Sequence, residues 1–156
     1  MSSLEELLTG PTTRPQVISD CERLIDEEVG SKGLTGLPIK AAYAIVKAVK
    51  PGFVREVVDH MLDDFCKRLD PIYQAARAKN EPVSAYFNAR QGDVAEALLA
   101  ITDERAARAK NQTLKSTYQK LRPTGKKHVE AAVPRLSRLV EKHTRAAATA
   151  TAPATV

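Results

Sequence analysis

The chain has 156 residues, a formal net charge of +5 and an apolar fraction of 43%. That length suits a single domain able to bury a core without disulfides or a structural metal. With no Trp, 3 Phe and 4 Tyr, the composition favours closely packed helices and disfavours binding modes that need a row of stacked rings.

The opening Met1-Ser2-Ser3-Leu4-Glu5-Glu6 lacks the basic-then-apolar order of a secretory leader. Leu4 to Leu8 suits one or two helical turns, ended at Gly10-Pro11. Pro15 predicts the start of the next helix, because a first-turn N–H has no intrahelical partner to lose. Its apolar stripe is Val17, Ile18, Cys21, Leu24, Ile25 and Val29, with Gly30 as the stop. Gly30 to Gly36 reads as a hinge. It follows a helix and does not match a phosphate-binding loop. A further helix from Pro38 carries Ile39, Ala42, Tyr43, Val46 and Val49, and ends at Pro51-Gly52.

Phe53 to Leu69 has the cleanest helical pattern, with a stripe over half the circumference, and is expected to be central. Asp70-Pro71 predicts a cap and a new, shorter helix with Ile72, Tyr73 and Ala76. Val83, Tyr86 and Phe87 follow after Asn80-Glu81-Pro82. Asp93 then caps a helix with Val94, Ala97, Leu98 and Ile101 inward. Leu114, Thr117, Tyr118 and Leu121 predict another inward face, ended at Arg122-Pro123-Thr124, where Thr124 can cap the helix that follows. The last helix would bury Val129, Val133, Leu136 and Val140, with Pro134 kinking or splitting it. The expected fold is an all-α compact bundle of six or seven short helices over residues 3–145, with residues 146–156 a disordered low-complexity tail. Cys21 and Cys66 read as packed thiols in a reducing cytoplasm.

No run approaches the roughly 18 apolar residues of a membrane span, so no membrane insertion is expected. Recognisable nucleophile or zinc motifs are also missing. Asp59, His60, Asp63 and Asp64 are better explained by i,i+4 pairing with Arg55, Lys67 and Arg68 than by metal ligation. No metal, cofactor or catalytic residue is predicted. Should the chain be an enzyme, His60, Tyr43, Tyr73 and Asp59 are the first residues to inspect for a shared pocket.

The charge distribution is the most informative feature. Residues 1–104 hold 12 Lys and Arg against 17 Asp and Glu; residues 105–145 hold 12 against 2. On an ideal helix Lys127, Arg135, Arg138, Lys142 and Arg145 share one side, opposite Val129, Val133, Leu136 and Val140. Arg122 and Lys126 are weaker additions, and Arg105, Arg108, Lys110, Lys115 and Lys120 add charge nearby in the chain. Such a ridge predicts salt-sensitive contact with a polyanion, above all nucleic acid without sequence specificity. Two other readings compete: a merely solvated face, or packing against the acids at Asp20 to Glu28 and Asp59 to Asp64. An acidic protein partner or anionic lipid fits the same charge. An interaction protein, pairing with itself or a partner through an uncovered stripe on the Phe53–Leu69 helix, is the alternative from another class.

Lys50-Pro51-Gly52-Phe53 through Asp59-His60, Asp70-Pro71-Ile72-Tyr73, Tyr118 through Pro123, and Lys127 through Leu136 with Leu139 to His143 together carry a resemblance. The chain resembles a family of small bacterial helical proteins of unknown function over residues 4–144. The resemblance implies a bacterial cytoplasmic protein. That family has no assigned activity, so it implies no catalytic residues.

Overall fold

The structure, a computed structural model, describes residues 2–31 and 37–151, with side chains except at 37–39, 42, 46 and 147–151. These residues form seven helices and no strand: α1 (Leu4–Leu8), α2 (Arg14–Ser31), α3 (Leu37–Val49), α4 (Phe53–Ala78), α5 (Val83–Asn88), α6 (Gln91–Arg108) and α7 (Gln112–Thr151). Most of the expected hinge, residues 32–36, lies outside the described residues, as do the side chains of Ile39, Ala42 and Val46.

Local sequence explains the helix starts. Ser3 and Glu6 form a reciprocal capping box at α1. Asn111 accepts from the amides of Thr113 and Leu114 at 2.9 and 3.2 Å and caps α7. Gly52 takes φ +84 immediately before α4, a left-handed turn that glycine adopts without steric cost.

The core is built where α1, α2, α4, α5, α6 and α7 meet. Leu4, Val17, Ala76, Phe87, Val94 and Val133 are completely buried there. Central α4 matches expectation, burying Val58, Leu62, Cys66, Leu69 and Tyr73 along one face.

Two predicted breaks, at Pro71 and Pro123, do not occur, and Pro134 does not split the last helix. Pro71 sits inside α4, and Pro123 and Pro134 sit inside the 40-residue α7. An interior proline forfeits one backbone hydrogen bond and costs about 3 kcal/mol. Burial of Tyr73 and Ala76 beyond Pro71, and of Leu139 and Val140 beyond Pro134, offsets that loss. Asp70 does not cap a new helix. Its carboxylate accepts from the Leu4 amide at 2.7 Å and from Gln74 at 3.1 Å, so it closes the amino end of α1 across the fold. Thr124 likewise caps nothing, being interior to α7. The helix also runs past residue 145 to Thr151, while residues 152–156 of the expected tail lie outside the described residues.

One predicted face is only partly inward. Leu114 and Leu121 are 61% and 60% exposed. In that stretch Tyr118 and Arg122 turn toward α6, and the two leucines stay open to solvent.

Candidate functional site

The five predicted ridge residues all lie on α7, but they do not share one electrostatic condition. Helix α2 crosses the carboxyl-terminal part of α7 and presents carboxylates to it. Arg135 donates to Glu28 at 2.5 Å and lies 3.2 Å from Glu27. Lys142 donates to Asp20 at 2.9 Å, and the same carboxylate meets the buried His143 ring at 2.7 Å. Arg145 pairs with Glu141 one turn back at 2.6 Å. Lys127 and Arg138 are exposed and form no ion pair among the described residues. The structure therefore joins α2 and α7 in a mixed-sign cleft of about 200 Å³, lined by Asp20, Arg23, Glu27, Arg135, Arg138 and Lys142.

Titration follows this geometry. Burial pushes the Asp20 carboxyl upward, but hydrogen bonds from Lys142 and His143 outweigh it and hold the group below its ordinary value. Donation to the Glu28 carboxylate raises Arg135 above the usual guanidinium range.

The weaker additions are engaged as well. Arg122 grips Asp103 at 2.7 Å and Glu96 at 2.8 Å, and Lys126 reaches Glu96 at 3.0 Å. Hydrogen bonding from Arg122, then Lys126, draws the Glu96 carboxyl down to about 2. Tyr118 donates to Asp103 at 2.5 Å and shares a 2.7 Å hydrogen bond with Thr102. These contacts fasten the first turns of α7 to α6.

Beyond that fastening lies a different set of cations. Arg105 and Arg108 occupy the last turn of α6, where the helix carbonyls favour positive charge. Lys110 lies in the connection; Lys115 and Lys120 lie on the opening turns of α7. All but Lys115 are exposed, and none of the five forms an ion pair among the described residues. Sequence reasoning leaves these residues as background to the ridge. The signal that singles them out is the absence of any Asp or Glu from Arg105 to Val129, a stretch holding eight Lys and Arg.

The remaining sequence candidates do not converge. Asp59 and Asp63 together clamp Arg14, at 2.9 and 3.0 Å. Tyr43 donates to Asp26 at 2.5 Å, Tyr73 accepts from Arg77 at 3.1 Å, and His60 is exposed. No group of three or more His, Cys, Asp or Glu is placed to hold a metal among the described residues. Burial pushes the Cys21 and Cys66 thiols up to about 12, which makes both poor nucleophiles.

A model of a family of unknown function, DUF6918, matches residues 4–144. The chain belongs to that family. No curated protein and no solved structure matches it. In this DUF6918 chain no helix among the described residues is long and apolar enough to cross a membrane. The family match spans both cation groups, the one held by α2 and the one at the α6–α7 turn.

Proposed function

We propose that this DUF6918 chain is a non-enzymatic binding protein of the bacterial cytoplasm that contacts nucleic acid without sequence specificity. The contact surface in this reading is the α6–α7 turn, with Lys127 and Arg138 as flanking contributors. The observation that carries it is the group Arg105, Arg108, Lys110, Lys115 and Lys120, none paired with a carboxylate among the described residues. Cations already balanced by protein acids gain little from a phosphate, whereas unbalanced ones release counterions when they meet it. Tyr118, the aromatic residue of this stretch, is committed to Asp103 and Thr102. Contacts would therefore run to the phosphate backbone, which positions a protein without reading sequence.

The test is fluorescence anisotropy on a short DNA duplex across a salt series. Replacing the five cations by Gln should flatten the slope of log affinity against log salt by about 0.9 for each phosphate that is no longer neutralised. An unchanged affinity and slope would overturn the proposal.

A second reading, self-association, has its own support. Ile45, Val49, Phe53 and Val57 follow one another at four-residue spacing across the α3–α4 turn, all remain exposed, and Val49 is 79% exposed. Phe53→Lys should convert a dimer to a monomer in light scattering; a wild-type monomer removes this reading.

A further inference from the structure

Helix α2 packs on α4 and α7, and α6 packs on the same two, so the four close into a ring. Each of them turns three residues into the space they enclose. The ring is not filled. A cavity of about 250 Å³ remains, walled by Leu24 of α2, Phe65 of α4, Leu98 of α6 and Leu136 of α7. All four of these side chains are half-buried, so the space can be reached from solvent without unfolding a helix.

Protein interiors leave few voids larger than a water molecule. The sequence leaves this one by placing small residues on three of the four helices. Cys21 of α2, Thr102 of α6 and Ala132 of α7 line the cavity where a leucine would reach further across it. The walls also offer almost nothing polar. None of the described lining residues carries a charge. The Thr102 hydroxyl already donates to the Leu99 carbonyl at 2.9 Å and meets the Tyr118 hydroxyl at 2.7 Å. Burial keeps the Cys21 thiol protonated, with its pKa pushed up to about 12.

These walls decide what the space can hold. An ion or a strongly hydrogen-bonding molecule would give up its hydration and receive no partner in return. Water fares little better, because it needs two to four polar partners, and an apolar cavity of about 150 Å³ stays dry and takes up benzene. The space here is about two-thirds larger than that one. We infer that this cavity is a binding site for a compact, uncharged, hydrocarbon-like molecule of about two fused rings. The volume sets the size, and the uncharged walls set the neutrality. The place between helices of a bundle is one where small-molecule sites are commonly built. The inference does not rest on the nucleic-acid reading: a chain that ignores DNA can still take up an apolar ligand.

The experiment is calorimetric titration of the full chain with naphthalene, held below its solubility limit. The expected result is saturable uptake of one molecule per chain with a negative heat-capacity change, and a rise in melting temperature as ligand is added. The carboxylate analogue 2-naphthoate should bind at least about tenfold more weakly. Ala132→Phe, which places a ring in the cavity, should weaken naphthalene binding by at least about tenfold while the circular dichroism stays helical. Cys21→Leu fills the same space from α2 and serves if the first variant does not fold. No saturable uptake by the wild type, equal affinity for the carboxylate, or uptake that survives both filling variants would overturn the inference.

Discussion

Helix α7 carries positive charge along most of its length, yet its two ends meet opposite surroundings. At Arg135 and Lys142 the neighbouring α2 supplies Asp20, Glu27 and Glu28, and the cations become part of the fold. At Lys115 and Lys120 the neighbour is the end of α6, whose own last turn adds Arg105 and Arg108. The two acids just before that turn are already taken, Asp103 by Arg122 and Glu104 by Arg68. The same residue types thus serve as internal fasteners in one place and as an unbalanced surface in the other. The lesson is that a helical cation takes its role from the element packed opposite, and counting charge along the chain does not reveal that element.

This contrast can be broken by experiment. The largest effect is expected at the turn: the five-residue Gln variant should lose at least about a hundredfold in duplex affinity at low salt, read by anisotropy. Asp20→Ala comes next. It leaves the buried His143 without its carboxylate and should cost about 2–3 kcal/mol in urea unfolding. The same group sets a pH signature. Its carboxyl is held below the ordinary value of 3.8, so the stability it supplies is present above that value and is lost as the pH falls through the lower folded-state value. Asp20→Asn should accordingly lose that part of the acid limb of a melting-temperature profile. Converting Arg135 and Lys142 together to Gln should lower stability by about 1–2 kcal/mol but change duplex affinity by less than about threefold. A large drop in affinity there would erase the distinction between the two ends. The smallest effect should come from Leu121→Ser, within about 0.5 kcal/mol of the wild type in the same unfolding assay, because that side chain is mostly in solvent already.

Much of the fold is legible in the sequence because amphipathic periodicity is a local property. The stripe from Val58 to Leu69 and the buried Val133 and Val140 can be read directly from spacing. Proline misleads because its cost is local while the compensation comes from distant helices: Pro71 and Pro134 are tolerated only because apolar residues beyond them find partners elsewhere. Leu114 and Leu121 mislead for the related reason that an apolar stripe has an inside only where another element arrives to cover it. In the candidate site, the positions of Arg135 and Lys142 are legible, and the acidic run from Asp20 to Glu28 is legible as one possible counterpart; the individual pairings are not, since Asp20 and Glu28 lie more than a hundred residues away in the chain. The unbalanced group from Arg105 to Lys120 is legible in principle, through its long stretch without a carboxylate. The ridge geometry on one helix obscures it by offering a more regular pattern.

The hook between Asp70 and the Leu4 amide has a practical corollary. A helix of five residues is far too short to persist by itself in water, so α1 owes its order to that carboxylate and to the burial of Leu4 and Leu8. Amide exchange at Leu4 should therefore act as a gauge of how well α4 is seated, reporting loosening of the bundle from a residue that belongs to neither cation cluster.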